Sequence, residues 1–532
     1  MAIYTSLFKA VIFFFSRILH FHYKTPRYLH RKFSNALHSP PLPNYPSFGT
    51  YSLDHCFSTT NNNNNNNNED QTLIFNVEET LLRSSSLFPY FMLAAFEGGS
   101  PLRALILLVL YPIICLFRKQ TRVKMMVMVC FFGIKKQTFI VGRAVLPKFF
   151  LEDVGLEGYE VLSKFKRKVG VSEMPQVMVD SFLRDYLEIE FVFGRELKVW
   201  CGYFTGVMED DKKERMSNVK DLFGEDDEII VGISGTKASL NHPFFSFCKA
   251  IYLTSDAIKK KWQQLPRQNY PQPLIFHDGR LSLRPTPTTT LALFLWLPFG
   301  FLLALLRALI VLSLPQNIGT LLVAFTGLRL LSCGTPYDKE CKGQLYVCNH
   351  KTLLDPLYLQ YVLTKPLTAV TYSLSRMSEI LAPIKTVRLR RDRDQDGKMM
   401  QKLLKQGDLV VCPEGTTCRE PYLLRFSPLF AEMSDLIVPV AMDCHVTMFY
   451  GTTAGGLKCL DPLFFLLNPR PSYTVRFLDP VHGLASCEHR SQSRFDVANH
   501  VQAQIGEAVS FKCTRLTRKD KYLILAGNHG VV

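Results

Sequence analysis

Cysteine pairs at zinc-binding spacing are missing from this 532-residue chain, although it contains 14 cysteines. Several cysteines lie in apolar runs, as Cys348 and Cys412 do, so we expect small buried thiols in a reducing compartment. An aromatic-rich RNA-binding motif is missing as well. These absences exclude a zinc-finger or disulfide-linked protein and argue against nucleic acid as the partner of a chain with a formal charge of +16.

Charged residues are absent from two long stretches, Pro285 to Leu306 and Ala308 to Leu328, which are bounded by Arg284, Arg307 and Arg329. Each is long enough to cross a hydrocarbon core of about 30 Å. The mean hydropathy of +0.06 is also high for a soluble protein. The stretches predict a membrane-embedded helical hairpin that either spans the bilayer or enters one leaflet. Buried helices of a soluble domain are the alternative.

A shorter pair of uncharged stretches, Ala104 to Phe117 and Met125 to Ile134, is separated by several basic residues. Segments of about 10 to 14 apolar residues are too short to span a bilayer. They predict either a membrane-dipping or a buried helical insertion.

Acidic residues are absent from positions 1–53, which are rich in Arg, Lys, His, Ser and Phe. This composition fits a mitochondrial presequence and equally an uncleaved membrane-surface anchor. The tract Asn61 to Asn68 predicts a disordered linker, so the folded part is expected to begin near Gln71. The end of the chain, from about Arg515, is basic and is expected to be peripheral.

One short motif sets an imidazole and a carboxylate at a fixed spacing, directly after the apolar run 345–348. A neutral imidazole can take a proton from an alcohol, and a carboxylate bonded to its other nitrogen orients it. Five positions along one helix rotate a side chain by about 500°, so His350 should precede the helix. With Thr352 as N-cap, Asp355 in the first turn would face the ring. A loop histidine before a helix-start aspartate is the alternative.

Three further blocks follow in a fixed order. Residues 387–393 are rich in arginine, residues 410–419 run from an apolar strand into a Pro-Glu-Gly-Thr turn, and residues 436–441 form a short apolar run with a proline. Together with the histidine motif, these blocks resemble the glycerophosphate acyltransferases of the PlsC type. The late arginine of the third block, Arg419, is similar to that of the land-plant branch of this family.

The resemblance implies acyl transfer from acyl-CoA to sn-glycerol 3-phosphate, giving lysophosphatidate without an acyl-enzyme. It assigns His350 as the general base and Asp355 as the residue that orients it. The remaining matched residues are assigned to substrate binding: Arg390, Arg391, Arg393, Glu414, Gly415, Thr416 and Arg419. Arginine suits phosphate because its planar fork pairs with two oxygens. Which arginine binds it stays open, as does the role of Arg419, because Thr417 stands where the common pattern has arginine.

The resemblance implies no cofactor and no metal ion, with acyl-CoA as co-substrate. The expected partners are acyl-CoA, glycerol 3-phosphate and membrane lipid, and the oligomeric state stays open. The expected location is the endoplasmic reticulum membrane, with a mitochondrial membrane as the alternative. The family implies glycerolipid synthesis or extracellular lipid polyesters such as cutin and suberin. An acyltransferase acting on a lysophospholipid and a non-catalytic lipid-binding scaffold are the rival functions.

A second resemblance covers about residues 71 to 270. The run 73–82 resembles the first motif of haloacid dehalogenase phosphatases, an apolar strand followed by Asp-x-Asp-x-Thr. Asn76 replaces the nucleophilic carboxylate, and an amide cannot form the acyl phosphate. Ser172 keeps the hydroxyl of the second motif, but the third, near 229–237, offers no carboxylate for magnesium. We therefore predict a phosphatase fold without phosphatase activity.

The predicted architecture is two α/β domains joined by a membrane-embedded helical hairpin. A basic N-terminal segment with an Asn-rich linker occupies 1–70, and a haloacid dehalogenase-like domain with a mostly parallel sheet occupies 71–270. The hairpin occupies 285–330. A PlsC-like acyltransferase domain with a mixed sheet occupies 335–515, with His350 and Glu414 near strand ends.

Overall fold

The structure is a computed structural model, and it describes residues 50–52, 71–209, 230–235, 243–336, 343–372, 376–484 and 493–527. Apart from residues 50–52, the predicted N-terminal anchor or presequence and the Asn-rich linker lie outside the described residues.

The first domain is built on a six-stranded sheet in which every neighbouring pair is parallel. Its strands, in order across the sheet, are Thr50–Ser52, Ala250–Leu253, Ile230–Ser234, Thr72–Asn76, Arg167–Pro175 and Phe191–Arg195. Strand Thr72–Asn76 is buried along its whole length, as expected for a sheet covered on both faces. Strand Thr50–Ser52 precedes the Asn-rich tract, so the sheet recruits residues from before the predicted start of the folded part.

Short helices cover this sheet: Val77–Thr80, Phe88–Gly98, Val141–Ala144, Leu146–Leu151, Leu156–Ser163, Gln176–Ser181 and Asp256–Lys259. The predicted apolar insertion forms helices Pro101–Ile114 and Lys119–Phe131, next to the two-stranded ribbon Leu197–Trp200 and Tyr203–Met208. One side of the first insertion helix is buried, while Leu102, Ile106 and Val109 are exposed. The insertion is therefore only partly covered by protein.

The predicted hairpin has unequal arms. Helix Pro287–Ser313 runs straight through Arg307, and a second helix, Gln316–Phe325, is only 10 residues long. Arg307 separates the two uncharged stretches of the sequence, but Pro315 sets the turn between the helices and the Arg307 side chain is fully buried. Its guanidinium donates to the carbonyl oxygens of Leu466 and Asn468, at 2.7 and 2.6 Å. A charge that bounded the uncharged stretches in the sequence is thus hydrogen-bonded to carbonyl oxygens inside the protein.

The second domain contains a mixed sheet. Its strands, in order, are Lys385–Arg388, Thr368–Thr371, Leu409–Val411, Leu345–Cys348, Leu436–His445, Ser472–Phe477 and Arg329–Cys333, and Val481–His482 pairs with Leu436–His445. A separate pair joins Tyr422–Leu423 to Lys512–Cys513. Its helices are Asp355–Leu363, Arg376–Ile380, Arg393–Gln406, Asp461–Leu466, Arg494–Val509 and Arg518–Ala526. The prediction of two α/β domains is confirmed.

The two domains share one apolar core. Its largest cluster joins first-domain residues such as Phe91 and Phe150 to Phe449, Leu467 and Leu525 of the second domain. Segment 270–284 lies between them, and its Arg280 forms a 2.7 Å ion pair with Asp461. Because this contact is continuous and largely apolar, the two sheets hold a fixed relation to each other.

Candidate active site

His350 and Asp355 meet at the end of strand Leu345–Cys348. Nδ1 of His350 lies 2.9 Å from Oδ2 of Asp355, which is the first residue of helix Asp355–Leu363 and is fully buried. His350 therefore precedes the helix, as predicted. Leu354, not Thr352, is the N-cap, because the Thr352 hydroxyl accepts from the N–H of Leu354 instead of capping the helix. The pair faces the carboxyl end of a parallel strand, where α/β folds place their sites.

The Asp355 carboxylate is fixed by four further donors, one of which is the Thr352 hydroxyl at 3.3 Å. Its oxygens accept the backbone N–H groups of Lys351 at 2.6 Å and Thr352 at 2.9 Å. The hydroxyl of Tyr473, from strand Ser472–Phe477, donates to Oδ1 at 2.8 Å. Burial, followed by the charge of Asp355, raises the pKa of Tyr473 well above its ordinary value, so this hydroxyl keeps its proton. Tyr473 gave no signal in the sequence beyond its place in an alternating strand.

The charge state of His350 follows from these contacts. Burial disfavours the charged ring, but the neighbouring Cys412 and Asp355 raise the pKa of His350 well above its ordinary value of 6.5. A hydrogen bond donated to Cys348, together with burial, raises the pKa of the Cys412 thiol itself, so that group carries no charge. We therefore assign the shift at His350 to the Asp355 carboxylate.

Glu414 connects the histidine turn to the Pro-Glu-Gly-Thr turn. Its Oε1 accepts the backbone N–H of His350 at 2.7 Å, and its Oε2 accepts that of Leu424 at 2.9 Å. Burial raises the pKa of Glu414 to about 7, against the lowering effect of these hydrogen bonds. The next residue, Gly415, has φ +64° and open space where a Cβ would stand. A left-handed backbone there suits glycine and leaves room for a ligand to approach.

A cavity of about 480 Å³ opens in front of His350. One wall is apolar and is formed by both arms of the hairpin and by helix Asp355–Leu363, including Val311, Val323 and Leu357. Another wall contains Gly415, Thr416 and three cationic residues from late in the chain: Lys458, Arg518 and Lys521. The sequence predicted the end of the chain to be peripheral, whereas helix Arg518–Ala526 lines this cavity. The capping box Thr517-x-x-Asp520 was the signal that a helix begins there.

The arginine block, residues 387–393, lies beside the cavity. Hydrogen bonds from its backbone N–H groups to a carboxylate fix its position. The N–H groups of Arg390 and Arg391 donate to Asp396 at 2.8 and 2.9 Å. The Arg393 guanidinium forms a 2.9 Å ion pair with Glu432. The exposed Arg391 guanidinium lies 5.9 Å from the ring of Tyr372, a residue of the cavity wall. The structure thus brings the Arg391 side chain next to a residue of the cavity wall, while Arg393 is paired with Glu432.

Arg419 is held in a buried network that joins the two domains. Its guanidinium donates to the carbonyl of Gly279 at 2.9 Å, approaches Asp278 at 3.4 Å and lies over the ring of Tyr450. The side chain is 8% exposed and is not part of the described cavity wall. Arg419, the late arginine of the Pro-Glu-Gly-Thr block, thus contacts segment 270–284.

The motif residues of the first domain also come together. Oε1 of Glu78 accepts the Ser172 hydroxyl at 2.5 Å and the backbone N–H groups of Glu173 and Met174 at 2.9 and 3.2 Å. Asn76 caps the following helix through the N–H of Glu79. Of the predicted third motif, residues 230–235 are described and the others lie outside the described residues.

A cationic side chain forms ion pairs with two carboxylates at this first-domain site. The ammonium of Lys119 lies 2.5 Å from Glu79 and 3.9 Å from Glu173. Across the described ranges, no group of three or more His, Cys, Asp or Glu side chains is arranged to hold a metal ion.

Comparisons with known proteins agree with both domains. A family model described as glycerol-3-phosphate acyltransferase RAM2-like, HAD-like domain matches residues 72–254, and an acyltransferase model matches residues 335–443. The protein named probable glycerol-3-phosphate acyltransferase 2 of Arabidopsis thaliana is 57% identical over 476 residues, which cover 87% of this chain and 90% of that protein.

Two further relatives are similar over the same extent. Glycerol-3-phosphate acyltransferase 1 of Arabidopsis thaliana is 46% identical, covering 87% of this chain and 82% of that protein. Glycerol-3-phosphate acyltransferase RAM2 of Petunia hybrida is 41% identical, covering 86% of this chain and 97% of that protein. With a histidine-aspartate pair in the second domain and a phosphatase-like first domain, this chain belongs to the plant glycerol-3-phosphate acyltransferase family.

Proposed function

We propose that the protein transfers an acyl group from acyl-CoA to a hydroxyl of sn-glycerol 3-phosphate, with His350 as the general base. The observation that carries this proposal is the 2.9 Å contact between His350 and Asp355 beside a cavity that is apolar on one side and cationic on another. Relatives that are named for this activity support it.

The roles of the two residues follow from their contact. Asp355 accepts the Nδ1 proton of His350, which leaves Nε2 as the basic nitrogen. Nε2 takes the proton of the substrate hydroxyl while that oxygen bonds to the thioester carbonyl carbon. When the carbon–sulfur bond breaks, the imidazolium returns the proton to the leaving thiolate of coenzyme A. The charge of Asp355 stabilises the imidazolium between these two steps.

The hairpin gives the site its access to lipid. Helix Pro287–Ser313 is long and apolar enough to cross a membrane. Only 17% of its apolar 18-residue stretch is buried inside the protein. Its Trp296 donates to the carbonyl of Leu467 at 2.9 Å, so the helix lies along the second domain. At about 1.5 Å per residue, the second arm extends about 15 Å, half of a hydrocarbon core. We propose that the hairpin enters one leaflet and that the acyl chain reaches His350 from that side.

The first domain is proposed to lack phosphatase activity, so that the reaction stops at lysophosphatidate. Asn76 cannot act as a carboxylate nucleophile. The Glu78 carboxyl occupies the three donors of the Ser172 turn, where they would otherwise be available to an anion. Burial raises the pKa of Glu78, and Lys119 already supplies a cation to Glu79.

The cofactor and pathway assignments stay predictions. We propose that the reaction needs no metal ion or cofactor, so activity should not change when EDTA is added. The endoplasmic reticulum as the location and a role in glycerolipid or lipid polyester synthesis follow from the sequence resemblance alone.

A product assay tests the proposal. Membranes with the wild type, His350→Ala or His500→Ala receive labelled glycerol 3-phosphate and a panel of acyl-CoA donors. His500 is an exposed histidine on helix Arg494–Val509 and serves as the matched control. We expect lysophosphatidate from the wild type and the control, with a loss of about 10²- to 10⁴-fold in His350→Ala.

Each contrary outcome of this assay has a distinct meaning. Acylation of a lysophospholipid, but not of glycerol 3-phosphate, would identify a different acceptor. Equal lipid binding without any product would favour a scaffold. Monoacylglycerol and free phosphate would contradict the proposal that the first domain is inactive.

A further inference from the structure

The helix Arg518–Ala526 carries cationic side chains into the cavity, although it lies outside the two ranges matched by the family models, 72–254 and 335–443. Arg518, Lys521 and Tyr522 all line the cavity. One face of a short helix near the end of the chain is therefore part of the wall beside the catalytic turn.

Lys521 is buried without a carboxylate partner. Its side chain is 6% exposed, and Nζ donates to the carbonyl of Thr417 at 2.6 Å and to the hydroxyls of Thr417 and Thr416 at 3.1 and 3.3 Å. Within the part of the chain that the structure describes, no carboxylate lies within 4.0 Å of this ammonium. Burial lowers the pKa of Lys521 to about 8, which still leaves it mostly charged at neutral pH. The Asp278 carboxylate favours the charge of Lys521, but not through direct contact. A buried charge whose hydrogen-bond partners are all neutral is costly unless an anion joins it.

Other positive charges point to the same place. Arg518 lines the cavity beside Lys521, and both burial and the charge of Arg391 lower the pKa of Arg518. The ammonium of Lys458, also in the wall, lies 2.8 Å from the Tyr522 hydroxyl. Cations from two separate parts of the chain, Lys458 and the helix Arg518–Ala526, thus converge on one cavity. Such convergence costs repulsion when the cavity is empty and favours a multiply charged anion.

We propose that the C-terminal helix completes the phosphate-binding site of the acyltransferase, with Lys521 as a substrate-binding residue for the phosphate of glycerol 3-phosphate and Arg518 assisting it. This inference rests on the proposed acyl transfer to glycerol 3-phosphate. Coenzyme A also carries phosphates, but a long pantetheine arm separates them from the thioester. Lys521 is bonded to Thr416 and Thr417, in the same turn as Glu414, which binds the His350 backbone. A cation bonded to the turn that holds His350, in the same cavity, matches the short acceptor.

Steady-state kinetics of Lys521→Met separate the two phosphate sources. We expect the KM for glycerol 3-phosphate to rise about tenfold or more, with the KM for acyl-CoA within about twofold of the wild type. Inorganic phosphate should inhibit the wild type competitively with glycerol 3-phosphate and should inhibit Lys521→Met more weakly. Lys521→Arg should recover part of the lost affinity. The matched control is Lys519→Met, which removes an exposed charge from the same helix and should leave both KM values unchanged.

The opposite results have defined meanings. A rise in the KM for acyl-CoA alone would assign the site to coenzyme A and overturn the proposal. Unchanged KM values in an active Lys521→Met protein would show that Lys521 only anchors the turn. If Lys521→Met does not fold, Arg518→Gln decides, and an unchanged KM for glycerol 3-phosphate in that variant overturns the proposal. No turnover of glycerol 3-phosphate by the wild type would instead refute the proposed function itself.

Discussion

The backbone N–H of His350 donates a 2.7 Å hydrogen bond to Oε1 of Glu414, which joins the histidine turn to the turn after strand Leu409–Val411. The bond is reinforced in the other direction, since the N–H of Cys418 donates to the carbonyl of His350 at 2.8 Å. Two turns that are about 60 residues apart in the sequence are thereby fixed at adjacent strand ends. The position of His350, the proposed base, depends on this pair of contacts.

Replacement of Glu414 by Ala should destabilise the second domain and slow the reaction. It leaves two buried N–H groups, those of His350 and Leu424, without acceptors, at a cost of about 1–3 kcal/mol each. Thermal unfolding should show the lower Tm, and kcat should fall because the base is displaced. Unchanged Tm and kcat would contradict the role of this carboxyl as a connector.

The Glu414→Gln variant adds a pH test. The pKa of Glu414 is raised from its ordinary 4.5 to about 7 by burial, so its contribution to stability is complete below pH 4.5 and is lost as pH rises through 7. The loss of Tm in Glu414→Gln relative to wild type should therefore be larger at pH 5 than at pH 8. A difference that grows with pH would show that the folded protein favours the ionised form.

The Asp355→Asn variant tests the histidine pair. The wild-type kcat/KM should rise with pH through a pKa above 6.5, because only neutral His350 acts as the base and Asp355 favours its charged form. Removing that charge should lower the pKa, so the acidic limb of the profile moves to lower pH. The maximal rate should fall by about 10²- to 10⁴-fold. A limb that stays in place would mean that Asp355 does not set the charge of His350.

Arg419→Met distinguishes a structural from a substrate-binding arginine. The substitution leaves Asp278 buried without its cation, which should cost about 3–5 kcal/mol of stability. The KM for glycerol 3-phosphate should be unchanged in the folded protein. Arg425→Met, which removes an exposed arginine nearby, is the control for both measurements. A raised KM with normal Tm would restore the substrate-binding role that the sequence suggested for Arg419.

Asn76→Asp should not restore phosphatase activity. It returns the nucleophile, but Glu78 still occupies the donors of the Ser172 turn, and the described part of the third motif supplies no carboxylate. Phosphate release from a generic aryl phosphate, with and without magnesium, measures the outcome. Release by this single variant would refute our reading of the third motif.

The exposed face of the hairpin should bind membranes. Leu302 and Leu309 are 65% and 61% exposed on helix Pro287–Ser313, and burying such a side chain in lipid contributes about 1.5–3 kcal/mol. Replacing both with Gln should move the protein from the membrane to the soluble fraction in liposome flotation. Leu457→Gln alters an equally exposed leucine outside the hairpin and should have little effect.

Local sequence determined the approach of His350 to Asp355, the proposed catalytic pair, and the kind of fold. The order strand, histidine, helix-start aspartate was readable because strand and helix periods and the geometry of one turn set the approach of His350 to Asp355. Local sequence also predicted the apolar strands of both sheets and showed that Asn76 stands where a carboxylate nucleophile would be. Each depends on residues within a few positions of one another.

Tertiary structure alone decided which charges reach the cavity. Arg391, Arg393 and Arg419 look equivalent in sequence, yet Glu432 holds Arg393, and segment 270–284 holds Arg419. Tyr473 and Lys521 come from about 120 and 105 residues away from Asp355 and Thr416, where no local pattern reveals them. Arg307 resembled a boundary and became a buried anchor because distant carbonyl groups satisfy it. The charge of a side chain is local information, but its partner depends on how the chain packs.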